Sequence, residues 1–133
     1  MKKAFFIIFI LTQTVFANKI KIINNISDIP KNKNIVLTFS MEYCPYCVKQ
    51  EKDILRYIKP KFKDIEFIKV MREAKVFQKL IETGNFGETQ YFPTTFILKI
   101  NNDNKIDVKY PFAGYQKSSY IIGVLNDKDI MED

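Results

Sequence analysis

Runs of apolar residues along the chain predict five strands. The run Ile35–Phe39 is almost entirely β-branched or apolar, which is typical of a strand buried on both faces. Shorter runs predict strands at Lys19–Ile23, Ile65–Val70 and Pro93–Ile100. After the turn-forming residues 101–104, apolar residues alternate at Ile106, Val108, Tyr110 and Phe112, which predicts an antiparallel partner for the preceding strand.

Three other segments have the spacing of amphipathic helices. Their inward positions are Cys47, Ile54 and Ile58 with Val48 and Leu55 beside them, then Ala74, Phe77 and Ile81 flanked by Val76 and Leu80, and finally Tyr120, Ile121, Val124 and Leu125. Pro60 and Gly84 mark the ends of the first two helices. This order predicts an α/β fold with a mixed central sheet, in which the early strands are parallel, the last two form an antiparallel hairpin and helices cover both faces.

Residues 1–17 have the layout of a secretory signal peptide. Two lysines precede the unbroken apolar run 4–11, and Ala17 ends a Val-Phe-Ala tripeptide of the kind that a signal peptidase reads. The apolar run is much shorter than the roughly 20 residues that cross a bilayer. We therefore expect cleavage near Ala17 and export of one domain, residues 18–133. An uncleaved N-terminal membrane anchor is the alternative.

The composition is that of a globular protein, since 47% of the 133 residues are hydrophobic and 14% are aromatic. The formal charge of +6 falls when Lys2 and Lys3 leave with the leader, because 19 of the 21 basic residues then remain against 15 acidic ones. Both signs are interleaved along the chain. No basic stripe with stacked aromatic residues forms, so nucleic-acid binding is not expected.

The two cysteines of the chain, Cys44 and Cys47, are separated by only two residues. A disulfide that closes so short a loop stabilises a fold by only about 2 kcal/mol in the chain-entropy model, against about 3 for a fifteen-residue loop. Reactivity therefore explains the pair better than an inert structural disulfide. Zinc needs four ligands, and a chain with no histidine and no third cysteine supplies them only by sharing a site with another chain. We expect no metal and no cofactor beyond the redox-active disulfide.

The residues around Cys44 offer a way to ionise its thiol, and only a thiolate attacks a disulfide. Cys44 follows a buried strand and a short loop and is expected at the first position of the next helix, where Pro45 suits N1. The free N–H groups and the helix dipole then favour a negative sulfur. Cys44 is therefore predicted to attack, and Cys47, one turn further on and on the buried side, to resolve the mixed disulfide.

From residue 18 onward the chain resembles the thioredoxin superfamily over nearly its whole length. Four features match in order: Phe39 to Tyr43 leading into Cys44-Pro45-Tyr46-Cys47, the helix that follows, Phe92-Pro93-Thr94 at the start of the fourth strand, and Gly114 before the last helix. The resemblance implies a thioredoxin fold, a cis Phe92–Pro93 bond, and a Phe92 backbone that pairs with a substrate strand. An ordinary proline at the start of a strand is the alternative.

Several positions depart from the thioredoxin pattern. Thr38 stands where thioredoxin has a buried carboxylate that assists proton transfer to the resolving thiol, so another group, or water, must do this; Glu42 is the nearest acid in sequence. Lys69 matches a lysine near that acid and is expected to lose its partner. Tyr43 replaces the usual tryptophan, and with Tyr46 it is expected to flank the site and dock substrates. Plain packing is the alternative for both tyrosines.

Together with the leader, the resemblance implies a small bacterial periplasmic thiol–disulfide oxidoreductase. Strongly oxidising periplasmic relatives carry a histidine between their cysteines, and Tyr46 supplies no such charge. We therefore expect a reductase that acts on protein disulfides and thiols, receives electrons from a membrane redox partner and is a monomer. A disulfide-forming oxidant is one alternative, and a non-enzymatic thioredoxin-like module that binds a partner protein is the other.

Overall fold

The computed structural model describes residues 19–87, 89 and 91–132. The predicted signal peptide lies outside these residues, so its prediction stays a prediction. Within the described ranges, none of the helices combines the length and the apolar character that crossing a membrane requires.

The described residues form five strands and four α-helices; the strands and the first three helices follow the predicted order, whereas the short last helix was not predicted. The strands are β1 (Lys21–Ile22), β2 (Ile35–Ser40), β3 (Glu66–Met71), β4 (Thr94–Ile100) and β5 (Ile106–Ala113). The helices are α1 (Pro45–Asp53), α2 (Lys75–Thr83), α3 (Ser118–Leu125) and the short α4 (Lys128–Met131). A π-helical segment, Ile54–Ile58, and a 3₁₀ turn, Lys59–Lys61, prolong α1, and another 3₁₀ turn spans Ile26–Asp28.

The strands lie in one mixed sheet in the order β1-β3-β2-β4-β5. Strands β1 and β2 run parallel to β3, whereas β4 is antiparallel to both β2 and β5. All six residues of β2 are buried, because this strand lies at the centre with helices packed on both faces. The predicted fold class is confirmed.

Each face of the sheet has its own apolar core. On one face, Val76 and Leu80 of α2 pack against the sheet. The ring of Phe39 lies edge-on to three other rings, with centroid distances of 5.0 Å to Phe77, 5.3 Å to Phe86 and 5.4 Å to Phe96. On the other face the π-helical segment and α3 supply the core residues Ile54, Ile58, Ile121, Val124 and Leu125. Each fully buried side chain of this size contributes about 1.5–3 kcal/mol.

A β-bulge interrupts the alternation predicted for β5. Leu98 pairs with Val108, but the preceding residue of β4, Ile97, pairs with Tyr110, so Lys109 is an extra residue on β5. One inserted residue reverses the faces of everything that follows it. Val108 consequently joins the α2 core, whereas Tyr110 joins the α3 core.

The inward face of α1 also differs from the prediction. Val48 was expected beside this face but is 52% exposed, whereas Gln50 is completely buried. The reason is helical geometry: the buried positions Cys47, Gln50 and Ile54 follow one another at intervals of three and four residues, and Val48 lies about 100° around the axis from Cys47. The polar Gln50 thus occupies a place that an apolar pattern cannot reveal.

Gly84, at the end of α2, is packed closely against its neighbours. The amide of Gly84 closes α2 by donating to the Leu80 carbonyl at 2.7 Å, and its φ of −95° is open to any residue. A Cβ at Gly84 would collide with the Phe86 ring and lie 2.9 Å from the Leu80 oxygen. Gly84→Ala should therefore lower the free energy of unfolding by about 1–3 kcal/mol in urea titrations.

The matched control is Gly123→Ala on α3, where a Cβ meets nothing within 4 Å. This substitution should raise the free energy of unfolding by about 1 kcal/mol, because alanine favours the helix. Equal effects of the two substitutions would show that the Phe86 packing against Gly84 is not a constraint on the fold.

Candidate active site

The two cysteines lie at the start of α1, directly after the loop that follows β2. They are joined by a disulfide, and their Cα atoms are 5.2 Å apart. Cys44 is the N-cap of α1, one position earlier than expected, and Pro45 occupies the first turn as predicted. The Cys47 amide donates to the Cys44 Sγ at 3.2 Å, in the way that a helix amide donates to a capping serine. This sulfur therefore lies where helix amides favour negative charge.

The exposure of the motif differs sharply between its members. Both cysteines are buried, but Cys44 is 9% exposed against 4% for Cys47. Tyr43 and Tyr46 are 96% and 62% exposed on either side. Tyr43 has a φ of +57°, a left-handed conformation that is rare and strained for a bulky residue and that occurs preferentially at functional sites. Cys44, the slightly more exposed of the two cysteines, thus lies in a motif with two protruding tyrosine rings.

The loop before β4 lies against Cys44. The Phe92–Pro93 peptide bond is cis, and the Phe92 carbonyl oxygen lies 3.7 Å from the Cys44 Sγ. The Thr94 hydroxyl donates to the Tyr91 carbonyl and so closes this loop at the start of β4. The Phe92 ring packs 6.0 Å from that of Phe77. The structure therefore brings Phe92 to Cys44, from which nearly fifty residues separate it in sequence, and Pro93 and Thr94 follow Phe92 at the start of β4.

An open groove of about 1,020 Å³ runs beside this loop. Its lining residues are mainly aromatic and neutral: Met41, Tyr46, Arg72, Phe77, Gln78, Thr89, Tyr91, Phe92, Gly114 and Tyr115. Tyr91, which the sequence did not single out, is 64% exposed at its edge. Two of the exposed tyrosines, Tyr46 and Tyr91, thus line this groove together with Phe92.

A smaller open pocket of about 440 Å³ touches both cysteines from the other side. Glu51 and Lys69 line it and form an ion pair in which the Lys69 Nζ lies 3.0 Å from each carboxylate oxygen. Lys69 thus has no acidic partner at position 38, as expected, but it pairs with Glu51 of α1 instead, which the sequence did not indicate. The Thr38 hydroxyl is hydrogen-bonded to that of Thr95 at 3.2 Å instead.

Gln50 joins the helix of the cysteines to the segment before α3. Its Oε1 accepts from the Gln116 amide at 2.8 Å, and its Nε2 donates to the Gln116 carbonyl at 3.0 Å. Nearby, the Tyr115 hydroxyl donates to the Asp53 carboxylate, and this hydrogen bond raises the pKa of Tyr115. Sequence reasoning missed Gln50, and the available signal was a polar residue at a helix position whose neighbours on the same face are apolar and buried.

The described residues contain no group of three or more metal-ligating side chains. The arrangement brings together a sulfur at a helix N-terminus, a second sulfur bonded to it, and a carbonyl of the loop before β4.

The tie between α1 and the last third of the chain is testable through Gln50→Leu. This substitution leaves the partly buried Gln116 amide and carbonyl without their Gln50 partners, at a cost of up to about 1–3 kcal/mol for each group. The free energy of unfolding in urea should fall accordingly, whereas Gln78→Leu on the exposed face of α2 should change it by less than about 0.5 kcal/mol. A Gln50→Leu protein as stable as the parent would contradict the assigned role.

No protein-family model and no curated sequence matches the chain. Solved structures do match. A thioredoxin from Trichomonas vaginalis is 22% identical with a TM-score of 0.60, and the match covers 86% of this chain and 97% of that one. A thioredoxin-like protein from Clostridium perfringens is 19% identical with a TM-score of 0.60, covering 85% and 84%.

Thioredoxin-2 of a malaria parasite, a component of its protein secretion machinery, is 22% identical with a TM-score of 0.56 over 81% of this chain and 93% of that one. All three structures share the mixed sheet with helices on both faces. The chain therefore has a thioredoxin-like fold, with a disulfide-bonded cysteine pair at the start of its first helix.

Proposed function

We propose that the protein is an exported thiol–disulfide oxidoreductase of the periplasm, in which Cys44 attacks and Cys47 resolves. The observation that carries this proposal is the position of the Cys44 sulfur. It accepts a hydrogen bond from the Cys47 amide of α1 and lies beside the Phe92 carbonyl. The thioredoxin-like fold supports the same class of chemistry. The leader-like residues 1–17 support export.

In the reductive direction, the Cys44 thiolate attacks one sulfur of a substrate disulfide. The substrate S–S bond breaks, a mixed disulfide with Cys44 forms, and the departing substrate thiolate takes a proton from water. Cys47 then loses its proton and attacks the Cys44 sulfur. The Cys44–Cys47 disulfide forms, the second substrate thiol leaves, and two electrons have moved from the protein to the substrate.

Substrate docking uses the surface around Cys44. Tyr43, Tyr46 and Tyr91 expose most of their area, and the neutral groove continues from them. An extended chain lying along the Phe92–Pro93 loop would place its disulfide against Cys44 while its side chains contact these rings. Such contacts accept many sequences, since aromatic side chains provide large apolar area at low entropic cost.

Reduction of protein disulfides is the direction we favour. Helix amides at Cys44 stabilise the thiolate, but Tyr46 adds no positive charge between the cysteines, and strong oxidants owe their potential to further stabilisation of the reduced form. In an oxidising compartment the disulfide of a reductase must be reduced again after each turnover. A membrane protein that supplies electrons is therefore the proposed partner.

The potential of the Cys44–Cys47 pair decides the direction. Residues 18–133 should be equilibrated in glutathione redox buffers and the thiols trapped at each ratio. A potential near or below about −250 mV is expected for a reductase. A value above about −150 mV would contradict the reductive direction and identify an oxidant of folding proteins.

Serine substitutions at the two cysteines separate enzyme from binding module. Cys47→Ser should retain a mixed disulfide between Cys44 and a disulfide-bonded test protein, visible on a non-reducing gel, because the resolving thiol is gone. Cys44→Ser should form no such adduct and lose at least about 100-fold in reductase rate. Full function in Cys44→Ser would establish a non-enzymatic binding module.

A further inference from the structure

We propose that Glu51, held by Lys69, is the group that accepts the proton of Cys47 when this thiol resolves the mixed disulfide. The inference rests on the proposed exchange chemistry and adds a residue to it. It answers the question that Thr38 raises, because a threonine cannot take up a proton at neutral pH where thioredoxin has a carboxylate.

The position of Glu51 follows from helix geometry. It lies four residues after Cys47 on α1, and residues at this spacing are neighbours on one helix face, with Cβ atoms about 5–6 Å apart. Glu51 and both cysteines line the same pocket of about 440 Å³. A pocket of this size holds water, so a proton can pass from the thiol to the carboxylate through a water molecule.

Lys69 fixes the carboxylate at this place. Its ammonium contacts both oxygens at 3.0 Å, and the two side chains are only 14% and 29% exposed. Lys69 lies on β3 directly opposite Thr38 of β2. Lys69 therefore lies beside the position where thioredoxin has its acid, but its acidic partner in this protein is Glu51 on α1 rather than a residue of β2.

The other ionisable groups of the pocket are poorer acceptors. Besides the cysteines and Glu51, the ionisable residues that line the pocket are Glu42, Tyr43 and Lys69. Glu42 was the acid nearest in sequence, but it is exposed on the loop and lies before the helix rather than behind Cys47. Tyr43 is almost fully exposed, and Lys69 is bound to Glu51. Among the described pocket residues, Glu51 alone combines negative charge with partial burial on the Cys47 side.

The proton balance of the resolving step is complete with this group. Cys47, 4% exposed, gives its proton through water to the Glu51 carboxylate. The resulting thiolate attacks the Cys44 sulfur, the bond between Cys44 and the substrate sulfur breaks, and the substrate leaves as a thiolate. Glu51 then returns the proton to this thiolate or to bulk water. In the oxidative direction the same atoms exchange in reverse.

Glu51→Gln distinguishes proton transfer from simple electrostatics by the sign of its effect. Removal of a negative charge beside a thiol makes ionisation of the thiol easier, so a purely electrostatic role predicts faster resolution in this variant. Loss of a proton acceptor predicts slower resolution. Glutamine keeps the shape of the side chain, and Glu51 is partly exposed, so the fold is retained.

The experiment mixes reduced protein, residues 18–133, with dithiobis-nitrobenzoate, an aromatic disulfide that releases one coloured thiol at each step. The first phase reports attack by Cys44 and depends on reagent concentration; the second reports attack by Cys47 and does not. At about pH 6, Glu51→Gln should slow the second phase roughly tenfold or more and leave the first within about twofold. The difference should shrink at high pH, where hydroxide removes the proton.

Glu66→Gln is the matched control, because it breaks the Lys33–Glu66 ion pair on the same sheet, outside the pocket. Both of its phases should match those of the parent. Lys69→Met should slow the second phase as Glu51→Gln does, and Lys69→Arg should restore it, since arginine keeps the ion pair.

A second phase in Glu51→Gln that is unchanged or faster would overturn the proposal, as would equal slowing of both phases. Failure of the proposed function has a different signature, because the parent protein would then not reduce a disulfide-bonded test protein, whatever the rates of its two phases with the aromatic disulfide.

Discussion

The unpaired amides at the start of α1 are the constraint on which the site depends. A helix that begins directly after a central strand leaves its first N–H groups without partners inside the helix, and some polar atom must accept from them. Here that atom is the Cys44 sulfur. The same requirement that completes the helix therefore places the Cys44 sulfur where helix amides favour a negative charge, while Cys47 lies one turn further along α1 and is slightly less exposed.

The rest of the architecture keeps this helix start in place. The fully buried strand β2 determines where α1 begins, and the two hydrogen bonds of Gln50 attach α1 to the chain before α3. The hydroxyl of Thr94 holds the loop that brings Phe92 to Cys44. Three segments that are distant in sequence thus meet around α1, and the two hydrogen bonds of Gln50 join one of them to it.

The local pattern was sufficient for the order of elements and for the cysteine pair, because strand runs, helix spacing and the Pro45 signal are properties of neighbouring residues. It was insufficient for contacts that cross the sheet. The partner of Lys69 depends on α1 lying over β3, and the burial of Gln50 depends on the Gln116 backbone that meets it. The bulge at Lys109 leaves no mark in an alternation that continues on either side of it.

The outer strands of the sheet have a consequence for aggregation. Unpaired strand edges recruit other extended chains and lead to aggregation. One edge here, β1, is only two residues long and carries Lys21; the other, β5, contains Pro111 and the bulge. Neither edge offers a long, regular ladder to a passing polypeptide. The two edges of the sheet are therefore poor templates for the aggregation of other extended chains.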